Sequence, residues 1–374
     1  MAARFRADNI GSLLRPPELL EARAALREGR MDGKQVREIE DRSILKALEM
    51  QKAAGVQIFT DGEYRRDIFT ADITKAMDGL VPGRPVVKFE WRGRGKKLAE
   101  ESKEGNLQFI VGGKLRKKGR FTPNEAPFLK QHAPGPFKVC TPAVMQHAIM
   151  RYRPGISDKF YPTVHDMLQD VAGIMRDEVQ ALIDEGASYV QLDAPSYSNF
   201  FDQNRRQILK QSGIDLNEAL DAAIAADNAM IQGVKRNADV VIGIHFCRGN
   251  KRSAWGAEGS YEPIAEKAFG ALEMDRYLLE FDSERAGGFE PLRFVPRGKT
   301  VVLGLITTKE PEIESEDELL RRIEQASKYV PVENLAVSTQ CGFASAASGN
   351  LITWDDMQRK LELVARTATR AWGS

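Results

Sequence analysis

Short apolar runs alternate with long amphipathic segments along most of this chain. Eight of the runs have the length and the β-branched or aromatic content that are typical of buried strands. They span residues 5–10, 56–60, 137–140, 189–192, 239–245, 277–280, 300–305 and 335–338.

Helical periodicity fills most of the intervals between these runs. The segments are 35–54, 166–185, 217–236, 261–271, 317–329 and 354–371. Gly55 and Gly186 stand where two of the helices are predicted to end. Eight strands that alternate with helices predict an α/β fold, a (β/α)8 TIM barrel formed as a single domain by residues 1–374. A doubly wound open sheet is the main alternative.

Residues 82–135 interrupt this alternation. They include two stretches of strand-like alternation, 86–91 and 107–112, which predict a β-rich insertion between the second and third barrel strands. A basic loop, residues 92–97, lies between them. We interpret it as a solvated turn rather than as a contact for an anionic ligand.

Polar residues recur at the carboxyl ends of the predicted strands. Active sites of this barrel lie at that face, so the pattern predicts an enzyme. The residues are Gly11 and Ser12 after the first strand, Asp61 and Glu63 after the second, Asp193 after the fourth, His245 and Cys247 at the fifth, Glu280 at the sixth and Cys341 after the eighth.

Four of these residues suit a zinc ion. His245 and Cys247 are two apart on an extended segment and therefore point to the same side. Together with Glu280 and Cys341 they offer one nitrogen, two sulfurs and one carboxylate, a tetrahedral zinc set. Ligands from distant strand ends favour a catalytic site over a structural one. We interpret Cys140 as a core residue and keep His147 as a weak candidate.

The residue types also indicate a chemistry. A zinc ion that is held by two thiolates suits the binding of a substrate thiol as thiolate, because a free thiol has a pKa of about 8.5. Attack of that sulfur on an electrophilic carbon would be alkyl transfer; zinc hydrolysis is the rival. Glu63 and Asp193 could hold an ammonium group, or else cap a helix or pair with Arg65 or Arg66. Ser12 and nearby backbone N–H groups could bind a carboxylate, or form a simple turn.

Composition excludes several other classes. The 374 residues carry 54 basic and 53 acidic side chains, a net charge of +1 that does not favour nucleic acid or a membrane surface. No stretch reaches the roughly 18 apolar residues that a membrane helix needs, and residues 1–30 lack the apolar core of a signal peptide. Three distant cysteines argue against a disulfide framework, so we expect a reducing, cytoplasmic setting.

These motifs resemble the C-terminal catalytic barrel of cobalamin-independent methionine synthase, above all its short single-barrel members. The resemblance covers nearly the whole chain. It implies a zinc site of His245, Cys247, Glu280 and Cys341. The segments that carry it are Ile10-Gly11-Ser12, Asp61-Gly62-Glu63, Gln191 to Pro195, His245-Phe246-Cys247, Leu279-Glu280 and Gln340-Cys341-Gly342.

The same resemblance implies the substrate. Glu63 and Asp193 would hold the amino group of homocysteine, and the loop of Ile10, Gly11 and Ser12 would hold its carboxylate. The product would be methionine. The methyl donor stays open between methyltetrahydrofolate, a methylated corrinoid, free or on a corrinoid protein, and a small S-methyl compound.

Three positions depart from the family pattern, and all of them belong to the half of the site that would bind the methyl donor. Ala194 replaces an acidic residue, Asn199 stands where another acid is expected, and Lys309 stands near the place of a histidine that is thought to protonate folate. Asp193 and Lys309 are the candidate catalytic residues. A lysine with its usual pKa of about 10.4 is a poor general acid at neutral pH unless it is desolvated.

Two alternatives remain at this stage. One is a zinc-dependent thiol alkyltransferase that opens an epoxide with a sulfonate thiol, for which Arg65, Arg66 and Arg248 could bind the sulfonate. The other is a non-catalytic zinc barrel, which needs no open coordination position.

Overall fold

A computed structural model describes residues 4–70, 73–83, 90–102, 109–147 and 151–373 of the protein. Six parallel strands form one sheet in chain order, and a separate antiparallel pair precedes them. The strands are β1 Met77–Pro82, β2 Phe109–Lys117, β3 Lys138–Pro142, β4 Tyr189–Asp193, β5 Val241–Phe246, β6 Arg276–Glu280, β7 Thr300–Ile306 and β8 Leu335–Thr339.

Two short extended segments close this sheet into a barrel. Ala7 bridges Val337 of β8, and Phe59 bridges Phe137 directly before β3, both in parallel orientation. The backbone N–H of Gln57 donates to the carbonyl of Ala7 at 3.2 Å, which joins the two segments to each other. The predicted barrel is therefore confirmed. The open sheet is excluded because both of its edges are paired.

Helices cover the outside of the barrel, and the six predicted ones are all present. The segment 217–236 ends early, at Ile231, because Gly233 adopts the left-handed conformation with φ of 80°. The helices with described bounds are α1 Pro17–Arg27, α2 Gly33–Ala54, α3 Ile73–Ala76, α4 Lys96–Glu101, α5 Glu125–His132, α6 Val164–Asp184, α7 Ser198–Phe201, α8 Gln203–Gln211, α9 Leu216–Ile231, α10 Glu262–Ala271, α11 Glu316–Ser327 and α12 Trp354–Trp372. None of them is long and apolar enough to cross a membrane.

The predicted insertion contributes β2 to an antiparallel pair with β1, which begins before it at Met77, but its described residues also form α4 and α5, so it is mixed rather than β-rich. Residues 84–89 and 103–108, which hold much of the two alternating stretches, lie outside the described residues. The basic loop is a turn whose residues 93, 94, 96 and 97 are exposed, as expected, and ion pairs also tie it to the barrel. Arg92 pairs with Glu258 at 2.6 Å, and Arg94 pairs with Glu310 at 2.8 Å. These ion pairs use the charges that an anionic ligand would need.

Candidate metal centre and substrate site

Four predicted ligands meet at the carboxyl end of the barrel. His245 lies in β5 and Cys247 directly follows that strand, while Glu280 ends β6 and Cys341 follows β8. Parallel strands place their carboxyl ends at one face. One nitrogen, two sulfur atoms and one carboxylate oxygen from these residues all lie within 4.8 Å of one another.

The His245 ring is oriented for metal binding. Its Nδ1 lies 3.2 Å from the carbonyl oxygen of Leu278, an acceptor, so the proton is assigned to Nδ1. Nε2 is buried and has no hydrogen-bond partner of normal geometry among the described residues. A histidine that donates through one nitrogen to a carbonyl and offers the other is the usual arrangement of a metal ligand.

The Sγ atoms of Cys247 and Cys341 are 3.5 Å apart. That distance is far too long for a disulfide, and it is close to the value of about 3.8 Å for two sulfurs on one tetrahedral zinc ion with bonds of about 2.3 Å. The hydrogen bond between the thiols holds the pKa of Cys341 well below its usual range and raises that of Cys247. The two sulfurs are thus close enough to coordinate one metal ion.

Glu280 completes this set from β6, the strand next to β5. One carboxylate oxygen accepts the backbone N–H of Arg248 at 2.5 Å, and the other accepts from Arg285 at 3.1 Å. Burial raises the pKa of this carboxyl group, and the charge of Lys309 opposes the rise. The donor types, the unpartnered imidazole nitrogen and the sulfur spacing fit a zinc ion.

A second cluster lies at the same face. Oxygen atoms of Glu63 and Asp193 and the sulfur of Cys140 lie within 4.8 Å of one another, all buried. Cys140 is buried, as expected of a core residue, and it also has these two carboxylates as polar neighbours. Burial raises the pKa of Glu63 to about 8, with Arg66 opposing and Asp193 adding to the rise. Oε2 of Glu63 has no hydrogen-bond partner among the described residues.

The backbone at Glu63 has an unusual conformation. Gly62 has φ of 68° and Glu63 has φ of 60°, so a side chain occupies the left-handed region that favours glycine. The backbone N–H of Glu63 donates to Asp61 at 2.9 Å, and its carbonyl accepts from Arg15 at 2.9 Å. These bonds hold the turn that directs the carboxylate into the cluster.

The loop of Ile10, Gly11 and Ser12 borders both clusters. A Cβ atom on Gly11, which has φ of 113°, would lie 2.5 Å from the Cys140 sulfur, so glycine is required there. The hydroxyl oxygen of Ser12 accepts the backbone N–H of Ala344 at 3.3 Å. Its own proton remains available to a ligand, whereas the N–H of Gly11 is already donated to Asn9 at 3.0 Å.

The three departures lie near these clusters. The ammonium of Lys309 is buried and donates to Asn250 at 3.3 Å. Asn199 accepts from the guanidinium of Arg205 at 3.3 Å, so a cation stands beside the position of the missing acid. Ala194 is fully buried. His147 joins neither cluster; burial and Arg151 hold its pKa well below its usual range.

The three arginines that could serve a sulfonate are engaged by the protein itself. Arg65 pairs with Asp41 at 2.6 Å, and Arg66 pairs with Glu125 at 3.0 Å. The remaining one, Arg248, is fully buried between aromatic rings and donates to a backbone carbonyl. The sulfonate alternative therefore has no support from these side chains.

The sequence reasoning missed residues that hold the predicted ones. Gln191 donates to Asp193 at 2.9 Å, Arg285 to Glu280 at 3.1 Å, and Asn250 accepts from Lys309. No local motif marks their roles, although Gln191 lies two residues before Asp193 and so points to the same side of β4.

The fold and the clusters define the class of protein: an α/β barrel with polar clusters, one of them rich in sulfur, at the carboxyl face of its strands. The family model described as the catalytic domain of cobalamin-independent synthase matches residues 161–365. An uncharacterized protein of Bacillus subtilis, YxjH, is 35% identical over 99% of this chain and 95% of its own length.

Two further relatives support the same family. The methionine synthase of Pyrococcus abyssi is 24% identical over 89% of this chain and 84% of its own length. The crystal structure of a putative vitamin-B12 independent methionine synthase from Listeria monocytogenes superposes with a TM-score of 0.73, at 29% identity and 100% coverage of both chains. This chain belongs to the cobalamin-independent synthase catalytic-domain family.

Proposed function

We propose that this protein is a zinc-dependent methyltransferase that transfers a methyl group to the thiol of homocysteine and forms methionine. The convergence of His245, Cys247, Glu280 and Cys341 within 4.8 Å carries the proposal. A zinc ion held by these residues would supply a Lewis acid that keeps the substrate sulfur deprotonated and nucleophilic.

The second cluster supports an amino acid as the acceptor. Glu63 and Asp193 are buried carboxylates, and Arg66, 3.9 Å from Glu63, only partly offsets the cost of ionising both of them. The ammonium group of homocysteine would offset this cost through charge-assisted hydrogen bonds. The hydroxyl of Ser12, beside the loop of Ile10 and Gly11, would donate to the substrate carboxylate.

The residues on the methyl-donor side of the site do not favour one methyl donor over the others. Methyltetrahydrofolate needs a proton on its leaving nitrogen, and Lys309 is a buried cation whose charge lowers the pKa of both thiols. The demethylated corrinoid, free or on a corrinoid protein, would leave without that proton, and so would the neutral thioether that a small S-methyl sulfonium releases. Assays of homocysteine methylation with each donor class in turn decide between them.

The binding of the acceptor thiol can be tested through the metal ion. Purified protein should contain about one zinc ion per chain, and His245→Ala and Cys341→Ala should lose it. After substitution by cobalt, homocysteine should shift the thiolate absorption of the metal, because its sulfur joins the coordination shell. A cobalt spectrum that ignores homocysteine would contradict the proposal and favour a closed, non-catalytic zinc barrel. A response to 2-mercaptoethanesulfonate alone would favour the sulfonate thiol instead.

A further inference from the structure

One buried side chain joins the loop that follows Cys247 to the loop that follows Cys341. Asn250 is 6% exposed. Its amide nitrogen donates to the carbonyl of Gly342 at 2.6 Å and to the hydroxyl of Ser345 at 3.2 Å. Since Gly342 is the residue next to Cys341, this bond connects the two loops where each has just left a proposed ligand.

The chemistry of the neighbours fixes the orientation of this amide. Lys309 can only donate, and it lies 3.3 Å from the amide oxygen of Asn250. The carbonyl of Gly342 can only accept, and it lies beside the amide nitrogen. The reversed amide would lose both bonds, so Asn250 fits this place in one orientation.

The insertion holds the Asn250 loop from outside. Arg92 and Trp255 exchange two backbone hydrogen bonds, of 2.8 and 3.0 Å. A Cβ atom on Gly95 would lie 1.6 Å from the carbonyl oxygen of Arg252, so the insertion touches the loop backbone and only glycine permits this approach.

Further contacts connect the insertion to Glu280, a third proposed ligand. The Trp255 ring has the guanidinium of Arg92 at 5.6 Å and that of Arg285 at 5.4 Å from its centroid. Arg285 in turn donates to Glu280 at 3.1 Å. A continuous series of contacts thus joins the insertion to the metal cluster.

The loop is held in a conformation that it would not adopt alone. Arg252 has φ of 51° and Ser253 has φ of 63°, and neither is glycine. The backbone N–H of Ser253 donates to Asn350 at 2.9 Å, and its hydroxyl accepts from Leu351 at 2.9 Å. Contacts from the segment after β8 therefore stabilise the turn.

We propose that Asn250 is a positioning residue, which sets the spacing of Cys247 and Cys341, and that residues 92–95 of the insertion hold its loop in place. This inference rests on the proposed function in that it assigns the spacing to metal binding. It gives the insertion a role at the site, through contacts with the protein and not with a ligand.

The first test compares Asn250→Ala and Asn250→Asp by competition with a chelator. Asn250→Ala should weaken zinc binding by about 10- to 100-fold, the usual effect of losing a residue that orients a ligand. Asn250→Asp keeps an acceptor for Lys309 but loses the donor to Gly342, so it should weaken zinc binding as much. The cobalt-substituted variants should show a shifted thiolate spectrum, which a general loss of stability would not produce.

The second test changes a residue of the insertion. Gly95→Ala should separate the loop from the insertion and weaken zinc binding in the same direction, although it touches no proposed ligand. Gly173→Ala is the matched control, since it sits inside α6 and a Cβ atom there would meet nothing within 4 Å beyond the backbone of its own helix. Equal zinc affinity of the Gly95 and Gly173 variants, or of Asn250→Ala and the wild type, would overturn the inference.

A measurement without metal separates this inference from the proposed function. In metal-free protein, amide hydrogen exchange at residues 342–350 should rise about tenfold in Asn250→Ala, because the tie to that loop is lost. If the wild type binds no zinc, the proposed function fails, and the exchange result still decides whether Asn250 joins the loops. Unchanged exchange at 342–350 would show that it does not.

Discussion

Glu63 is buried as an acid in a place that favours its neutral form. Burial raises its pKa to about 8 from an ordinary value of 4.5. The folded protein therefore binds more protons than the unfolded chain between these pH values, and this residue lowers the free energy of unfolding as the pH rises through that window. The cost is consistent with a site that binds an ammonium group.

Replacement of Glu63 by Gln should remove this cost. We expect Glu63→Gln to be more stable than the wild type by up to about 4–5 kcal/mol at pH 8, since the rise in pKa from 4.5 to about 8 corresponds to about 1.4 kcal/mol per unit, and to gain little near pH 4.5. Urea unfolding at the two pH values measures the difference. The exposed Glu21 offers a control, Glu21→Gln, which should not show this dependence.

The same variant should bind amino acids more weakly. The loss of one charge-assisted hydrogen bond to the ammonium of homocysteine should reduce its affinity by about 10- to 100-fold. Calorimetric titration of the zinc-loaded variant measures this. If Glu63→Gln were more stable but bound homocysteine with unchanged affinity, the proposal that Glu63 binds the amino group would be contradicted.

The residue types of the candidate site could be predicted because their spacing follows strand geometry. His245 and Cys247 are two apart, and Glu63, Glu280 and Cys341 each stand at or just beyond a strand end. The residues that hold them could not be predicted in this way. Asn250 meets its partner Gly342 across 92 positions of sequence, and only the closed barrel brings them together.

At the scale of elements, Asp227 joins a helix to two loops of the catalytic face. It lies in α9, accepts the backbone N–H of Met145 at 3.1 Å after β3, and accepts the hydroxyl of Tyr197 at 2.9 Å after β4. Burial raises its pKa to about 7, partly offset by these hydrogen bonds.

Asp227→Asn should change how stability depends on pH. The folded wild type keeps the Asp227 proton up to about pH 7, while the unfolded chain releases it near 3.8, so this carboxyl group destabilises the fold as the pH rises between them. The variant lacks that contribution. The difference in free energy of unfolding should therefore shift in favour of Asn by up to about 1.4 kcal/mol per pH unit. If the free energies of unfolding of the wild type and of Asp227→Asn changed in parallel from pH 4 to 7, this prediction would be refuted.

Element boundaries were predictable where local signals dominate. The run 189–192 and the observed β4, Tyr189–Asp193, differ by one residue, and α2 ends before Gly55, as its sequence indicates. The docking of the insertion was not predictable, because Arg92 meets Trp255 through tertiary contacts that leave no local pattern. The first two barrel strands were predicted as full strands, but each is reduced to a bridge.

At the scale of the whole molecule, charged residues inside the barrel hold its first strand segment to the sheet. Lys138, the first residue of β3, donates to Asp8 at 2.7 Å and to Gln191 at 2.8 Å, and also to the carbonyl of Asn9. Both charged side chains of the Lys138–Asp8 pair are fully buried, and Arg276 lies 3.6 Å from Asp8. The network thus reaches from β3 across the interior to the segment that leads into the Ile10 loop.

Lys138→Met should destabilise the protein by about 3–5 kcal/mol, because it leaves the buried Asp8 carboxylate with Arg276, 3.6 Å away, as its remaining charged partner. The double variant Lys138→Met/Asp8→Asn should recover part of this loss, since the uncompensated charge is removed with its partner, and the two effects should not add. Urea unfolding of the wild type, both single variants and the double variant gives the coupling energy. Strictly additive effects would mean that the pair does not stabilise the closed barrel, and that closure depends on the backbone bridges of Ala7 and Phe59 instead.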